Sequence, residues 1–250
     1  MADRFIGEVL EACGEGDAAV AIVSPHGMVP TAKYVWLGKA LIDAGLATYV
    51  TDEGTAGMRL HLPETRAILG DHPLAQGVWV NLQGRGADGI VPPEQYERVR
   101  TEIIGALLSV RDPFTNACPV ALALRREQAG FLGLAGDAIG DVVYFLAPGY
   151  ATDPRLCSAG VVDPSLISVD AVCGSAGPLQ GAHHGYLPGA ELGGFSTHGM
   201  LLLAGPGVCE GVRRATPLQL PDVTATLCSL LAINAPSSAE GLVATDLLNP

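Results

Sequence analysis

Short apolar runs alternate with segments of helical periodicity, and this alternation constrains the fold more than any other feature. The runs read as strands are "AAVAIVS", "VALALR", "DVVYFLA" and "MLLLAG". The segments read as helices are "DRFIGEVLEACGEG", "TAKYVWLGKALIDAGL" and "LPDVTATLCSLLAI". Strands that alternate with helices predict an α/β fold in which helices flank a mostly parallel sheet.

Prolines, glycines and one aspartate mark where elements begin and end. Pro92 and Pro93 fit the first turn of a further helix, because an amide hydrogen has no helical partner there. Asp222 is suited to cap the last helix at its N-terminus. The Gly/Ser/Cys-rich stretch from about 149 to 185 is interpreted as loop.

Length and composition bound the domain organisation. The 250 residues, 48% hydrophobic with 32 glycines, are enough for one main core. We predict a single domain over residues 1–250, with room for a small subsidiary lobe at about residues 50–150. The six cysteines are scattered without a C-x-x-C pair, which indicates mostly buried, reduced thiols rather than a zinc knuckle or a disulfide framework.

Charge and hydropathy exclude some partners. With 14 basic against 26 acidic residues, the formal net charge is −12, which argues against a nucleic-acid surface. No apolar run approaches the roughly 18 residues of a membrane span, and "MADRFIGEV" lacks the layout of a signal peptide. These features predict a cytoplasmic protein that does not bind membranes.

Three loops carry histidines: "SPHGM", "GAHHGYLPG" and "FSTHGML". In α/β sheets, ligands lie beyond the carboxyl ends of strands, which is where His26 falls. Neutral imidazole binds zinc and similar ions, so these loops suit a metal site. A hydrogen-bonded loop histidine is the alternative for each.

No G-x-S-x-G elbow, P-loop or G-x-G-x-x-G fingerprint after a strand is present, and "GRGADG" fits a turn.

Two aspartates and three arginines offer further chemistry. Asp137 and Asp141 are candidates to join the histidines in a different hydrolytic site, whereas Asp141 before "VVYF" also suits a turn cap. Arg85, Arg125 and Arg126 have the planar fork that fits a phosphate. Intramolecular ion pairs are the alternative for all three.

An ordered series of motifs spans nearly the whole chain. In order they are "VSPHGMVPTAKYVWLGKALIDAGL", "VWVNLQGRGADGIVPPEQYERVRTEII", "VALALRREQAGFLGLAGDAIGDVVYFLAPGY", "GAHHGYLPGAELG" and "LLLAGPGVCEGV" followed by "LPDVTATLCSLLAI". Together they resemble the C-terminal half of a type I phosphodiesterase/nucleotide pyrophosphatase of the alkaline phosphatase superfamily. The resemblance implies a metal-dependent phosphoester hydrolase fold, truncated on its N-terminal side.

The resemblance also implies a cofactor and its ligands. The family is a two-metal hydrolase, usually with zinc, in which a Thr or Ser nucleophile attacks phosphorus. His26 falls on the histidine of the family's S-D-H-G motif. The late G-x-H ligand falls on His183 in an ungapped comparison and on His184 if the H-G-Y-x-P form guides it, with His198 as a third choice.

Two departures from the family pattern oppose catalysis. Pro25 stands where the family has a metal-binding Asp, and the family's N-terminal half, with the nucleophile, has no counterpart in these 250 residues. Two imidazoles from different metal sites are too few for a catalytic zinc. We therefore expect a domain that is inactive as an isolated chain. The alternative is the C-terminal subunit of a split two-metal phosphodiesterase, completed by an N-terminal-half polypeptide. An exposed sheet edge would also favour self-association.

Overall fold

The protein is described here by a computed structural model covering residues 2–13, 18–54, 56–70, 76–152, 161–167, 170–182 and 184–249. Two compact units make up the chain: unit 1 is Met1–Gly27 with His198–Pro250, and unit 2 is Met28–Thr197. Helices and strands occur together, so the predicted α/β class is confirmed. Over these residues, no helix combines the length and apolar character that crossing a bilayer requires.

The helices and strands are numbered here in chain order. The helices are α1 Ala2–Cys13, α2 Leu37–Asp43, α3 Tyr96–Ser109, α4 Pro164–Ile167 and α5 Leu220–Leu230. The strands are β1 Val20–Val23, β2 Val29–Val35, β3 Tyr49–Thr51, β4 Met58–Leu60, β5 Ala67–Leu69, β6 Gly77–Val80, β7 Val120–Arg125, β8 Val142–Leu146, β9 Tyr150–Thr152, β10 Val161–Val162, β11 Val172–Ala182, β12 Glu191–Leu192, β13 Phe195–Ser196 and β14 Leu201–Ala204.

The core of unit 2 is built on a four-stranded sheet in the order β5-β6-β8-β7. Every residue of the central strand β8 is buried, as expected for a strand with neighbours on both sides. Helix α3 packs on this sheet through Val99, Ile103 and Leu107, each essentially inaccessible to solvent. Burying a side chain of this size stabilises the fold by about 1.5 to 3 kcal/mol, so this contact anchors the unit.

The sheets are mixed, and most neighbouring strands run antiparallel. Among the ladders formed by the described residues, β2 with β9 is parallel and the others are antiparallel. The sequence predicted a mostly parallel sheet. Parallel neighbours need a crossover of a dozen or more residues, whereas β3 ends at Thr51 and β4 begins at Met58. So short a link favours the antiparallel pairing that is observed.

Two sequence assignments in unit 2 were wrong. The segment "TAKYV", predicted as the start of a helix, belongs to strand β2, and the helix α2 covers only Leu37–Asp43. Strand β2 lies between β11 and β9, so its backbone is paired on both sides. Strand β11 in turn occupies part of the stretch interpreted as loop. Its glycine-rich sequence gives little local strand signal, and pairing with β2 makes it a strand.

Helix starts follow the sequence signals in one case and differ in the other. A 3-10 turn at Pro93–Gln95 leads into α3, which confirms the predicted proline start. Helix α5 is capped by Gln219, not by Asp222. The Asp222 carboxylate, three residues into the helix, accepts a hydrogen bond from the Gln219 amide at 3.0 Å. Asp222 therefore closes a capping box from inside the helix.

Unit 1 contains a two-stranded sheet, with α1 and α5 as its helices. Strands β1 and β14 are antiparallel, with Val20 opposite Ala204 and Val23 opposite Leu201. Helix α1 forms as predicted, yet none of its residues is buried.

The four cysteines with described side chains are free thiols, and none is buried: Cys13 is exposed and Cys118, Cys209 and Cys228 are half-buried. The expectation of buried thiols was wrong for these four.

A buried carboxylate ties β2 of unit 2 to the segment after α3. The Asp112 side chain is inaccessible to solvent and forms an ion pair with Lys33 of β2. It accepts further hydrogen bonds from the Tyr150 hydroxyl at 2.6 Å and the Phe114 amide at 2.9 Å. Burial by itself would raise the pKa of Asp112, but the bonds from Lys33 and Tyr150 outweigh it and hold that pKa well below its usual range.

Candidate functional site

The loop after β1, Ser24 to Gly27, is fixed by hydrogen bonds within unit 1. The Ser24 amide donates to the Met200 carbonyl at 2.8 Å, and the Ser24 hydroxyl accepts from the Met200 amide at 3.3 Å. The same hydroxyl donates to the His26 carbonyl at 2.8 Å. Ser24 therefore continues the β1–β14 pairing by one residue and shapes the turn that carries His26.

His26 is half-buried, and its ring is oriented by its own loop. Its Nδ1 lies 2.9 Å from the Gly27 carbonyl oxygen. Because a carbonyl only accepts, this contact is a hydrogen bond in the tautomer that carries its proton on Nδ1, and in that tautomer Nε2 holds the lone pair. Histidines that bind metals are commonly oriented in this way by a backbone carbonyl. The geometry suits His26 to be one metal ligand.

Pro25 supplies nothing to such a site. It is exposed, and its ring carries neither a donor nor an acceptor in the side chain. A carboxylate at this position would have offset part of the charge of a bound cation. The loop therefore offers one side-chain ligand, the imidazole of His26.

One candidate for the late histidine lies outside the described residues, and the other two belong to different units. His183 lies outside the described residues. His184 is exposed in unit 2, where its loop is anchored by Tyr186, a buried residue that bridges Leu146 at the end of β8. His198 is exposed in unit 1, the unit that contains His26.

Gly199 shows how closely the loops of His26 and His198 approach. A Cβ at Gly199 would lie 2.1 Å from the Ser24 carbonyl oxygen and 3.2 Å from the His26 amide nitrogen. Only glycine permits this backbone contact. The structure therefore brings together the loops of His26 and His198, the third choice from the sequence.

The donor set of the described residues does not fit a catalytic metal centre. Over the residues that the structure describes, no group of three or more His, Cys, Asp or Glu side chains is placed to hold a metal ion. A catalytic zinc takes about three protein ligands and a water. The side chains that these residues contribute to the candidate site fall short of that number.

A cavity of about 430 Å³ opens beside the two loops within unit 1. Ser24, Pro25 and His198 line one side, and residues 212–220 line another. We call it the Arg213 cavity. Its two arginines, Arg213 and Arg214, were not predicted from the sequence. Their signal was a pair of adjacent basic residues in an acidic chain.

Asp141 in unit 2 forms a structural ion-pair network. Its buried carboxylate forms a two-pronged ion pair with Arg85. It also accepts hydrogen bonds from the Tyr96 hydroxyl at 2.7 Å, the Val80 amide at 2.8 Å and Arg126 at 3.0 Å. Burial opposes ionisation, but the bonds from Arg85 and Tyr96 prevail and lower the pKa of Asp141.

Arg125 and Arg126 also form ion pairs with carboxylates other than Asp141. Arg126 also contacts Asp137, at 3.5 Å, and the Asp137 side chain is fully exposed. Arg125 forms an ion pair with Glu97 at 3.3 Å. Of the two interpretations of these arginines, the structure shows intramolecular pairing.

Comparison with known proteins agrees with the fold. The family model of type I phosphodiesterase / nucleotide pyrophosphatase matches residues 1–156. Among solved structures, wild-type alkaline phosphatase PafA is similar with a TM-score of 0.53 and 16% identity, over 98% of this chain and 41% of that one. A PafA variant with four substitutions gives a TM-score of 0.51 and 14% identity over the same shares.

This chain thus spans 41% of the length of those solved structures. Because the identity is low, the similarity supports the alkaline-phosphatase-like fold and nothing beyond it. No curated protein sequence matches this chain. The family match covers more than half of the 250 residues and includes the loop of Pro25 and His26. The chain therefore belongs to the type I phosphodiesterase/nucleotide pyrophosphatase family.

Proposed function

We propose that this chain is a phosphodiesterase/nucleotide-pyrophosphatase-like domain that does not hydrolyse phosphoesters as an isolated chain. The observation that carries the proposal is Pro25. It lies directly before His26, whose Nδ1 is 2.9 Å from the Gly27 carbonyl oxygen, at the position where the family resemblance implies a carboxylate. Within these 250 residues the resemblance also finds no counterpart of the nucleophile. We include the cytoplasmic location in this proposal, on the basis of the sequence.

Ligand number supports the proposal. Strand pairing brings the loops of His26 and His198 together, which offers two imidazoles in unit 1. Neutral imidazoles do not offset the charge of a divalent ion, and two of them are fewer than a catalytic zinc takes. Enzymatic rate accelerations depend on several positioned groups that act together. We infer that zinc or another divalent metal binds weakly here.

We expect no turnover of bis(4-nitrophenyl) phosphate by the purified chain with added zinc, above the rate with zinc alone. Release of 4-nitrophenol measures it, together with zinc content by mass spectrometry. The His26→Ala variant is the matched control, and it should give the same rate as the parent. Stoichiometric zinc with turnover that His26→Ala abolishes would overturn the proposal.

We expect Pro25→Asp to tighten zinc binding by about tenfold, which corresponds to about 1.4 kcal/mol. The new carboxylate would adjoin the imidazole of His26 and offset part of the metal charge. Competition against a chromophoric zinc chelator measures the affinity. The double variant Pro25→Asp/His26→Ala should lose the gain. Equal zinc affinity for the parent and Pro25→Asp would show that position 25 is not beside a metal site.

The alternative function is the C-terminal subunit of a split phosphodiesterase. Two observations favour it. Within the described part of the chain, β1 and β14 pair only with each other, so each has an outer edge able to accept another strand. Helix α1 also presents exposed apolar residues, including Phe5 at 66%, Val9 at 45% and Leu10 at 42%. Surfaces of this kind suit an N-terminal-half polypeptide or a second copy of the chain.

Complementation separates the two functions. The chain would be mixed with a separate polypeptide that carries the family's nucleophile-bearing half, and turnover would be measured for the mixture and for each part. Turnover in the mixture alone would establish the split enzyme. A clean monomer at micromolar concentration in sizing experiments, with no gain of activity in the mixture, would exclude it.

A further inference from the structure

The Arg213 cavity has the size and composition of a small-molecule site. Its volume of about 430 Å³ lies within the range of roughly 300 to 1,000 Å³ that is usual for ligand pockets. Every described residue that lines it belongs to unit 1. Its wall combines the end of the β1–β14 ladder with the segment that leads into α5. The cavity therefore lies between a strand ladder and the irregular segment 212–219 that precedes α5.

The charge of the lining is opposite to that of the chain. Among the described residues, Arg213 and Arg214 line the cavity and no Asp or Glu does, although the chain has a formal net charge of −12. Arg214 donates to Asp246 at 2.9 Å, which offsets its charge. Arg213 is exposed and has no hydrogen-bond or ion-pair partner within the described part of the chain. One guanidinium charge thus remains uncompensated at the cavity.

The rest of the wall is largely apolar. Val23, Leu201 and Leu203 of the ladder and Leu220 and Val223 of α5 contribute to it. Val23 is 40% exposed and Leu220 is 55% exposed, so apolar surface faces solvent there. Covering such surface with an apolar ligand body is favourable, by roughly 25 cal/mol per Å².

We propose that the Arg213 cavity binds a small organic carboxylate, with its apolar body against the leucine and valine wall and its carboxylate on Arg213. A guanidinium fork matches a carboxylate in two parallel hydrogen bonds. With one guanidinium to pair with, a dianionic ligand would keep a second, unpaired negative charge on a chain whose formal net charge is −12, which favours a monoanion. The inference rests on the proposed function, because it gives the catalytically silent site a ligand class. Binding requires neither a metal nor a nucleophile.

Calorimetric titration of the full chain with 2-naphthoate, with EDTA present, tests this inference. Neutral 2-naphthol and 2-naphthyl phosphate serve as comparison ligands. We expect 2-naphthoate to bind at least about tenfold more tightly than 2-naphthol, since a hydrogen bond to a charged group contributes at least that much. No binding of 2-naphthoate, or tighter binding of the dianionic phosphate, would overturn the inference.

Variants of the exposed arginine locate the binding. Arg213→Ala should weaken 2-naphthoate binding about tenfold, and Arg213→Lys should give an intermediate affinity because it keeps the charge without the fork. Arg98→Ala, which removes an exposed arginine of α3 in unit 2, is the matched control and should bind like the parent. Equal affinity for Arg213→Ala and the parent would place the ligand elsewhere.

A turnover assay keeps the two proposals distinguishable. Release of 2-naphthol from 2-naphthyl phosphate with zinc present, followed by fluorescence, would overturn the inactive domain. Carboxylate binding that persists in EDTA and is lost in Arg213→Ala would still support the inference. Loss of carboxylate binding without turnover would overturn the inference alone.

Discussion

Replacing Asp141 with alanine should lower the free energy of unfolding by about 3 to 5 kcal/mol, since that is the usual cost of removing one partner of a buried ion pair. The Asp141 carboxylate is inaccessible to solvent and receives bonds from Arg85, Arg126, Tyr96 and the Val80 amide. The variant leaves two guanidinium groups without their shared anion and a buried amide without an acceptor. Urea denaturation followed by circular dichroism measures the loss.

Asp137 offers a matched control for this prediction. It contacts Arg126 as Asp141 does, but its side chain is fully exposed. Asp137→Ala should leave the urea midpoint unchanged, because solvent screens an exposed ion pair. If Asp141→Ala and Asp137→Ala shifted the urea midpoint equally, the ion-pair network of Asp141 would not stabilise unit 2 as we propose.

Asp112→Asn should destabilise the protein at neutral pH and progressively less in acid. The folded state lowers the pKa of Asp112, so folding favours the ionised carboxylate. Its contribution is fully present above the unfolded pKa of about 3.9 and is lost as the pH falls through the lower folded pKa. The difference between parent and variant in free energy of unfolding should therefore be constant from about pH 5 to 7 and shrink below about pH 4. Urea denaturation series across this range measure it.

Asp88 is the control for the pH dependence. Its side chain is exposed, so Asp88→Asn should follow the parent at every pH. A difference between the parent and Asp112→Asn that stayed constant into strong acid would contradict the ion pair of Asp112 with Lys33. It would point to a purely steric effect of the substitution.

Local patterns predicted the elements that local forces determine. Helix α1 has apolar residues at helical spacing, and α3 starts after two prolines, so both were visible in the sequence. Strand β2 was not, because "TAKYV" also fits a helix and becomes a strand only between β11 and β9. The antiparallel pairing of the strands could not be predicted from the sequence either, because the relative direction of two strands depends on contacts between distant segments. The predicted subsidiary lobe stays a prediction.

The candidate site also has parts that the sequence predicted and parts that depend on contacts between distant segments. The position of His26 at a strand end followed from the apolar run before it. The contact between its loop and the loop of His198 did not, because that contact depends on the β1–β14 ladder between distant segments. The choice of His183 or His184 as the late ligand stays a prediction. The candidate role of Arg213 depends on the lack of Asp and Glu among the described residues that line the cavity, which a linear sequence does not reveal.

Unit 1 is assembled from the two ends of the chain, with residues 28–197 between its parts. During synthesis, β1 leaves the ribosome long before β14 exists to pair with it. Unit 2, whose segment is continuous, is complete before that pairing begins, and domains commonly fold as units in the order of their synthesis. Closing so long a loop is a slow, non-local step. We therefore expect the loops of His26 and His198 to meet after unit 2 has formed, and until then β1 lacks the one strand with which it pairs in the described part of the chain.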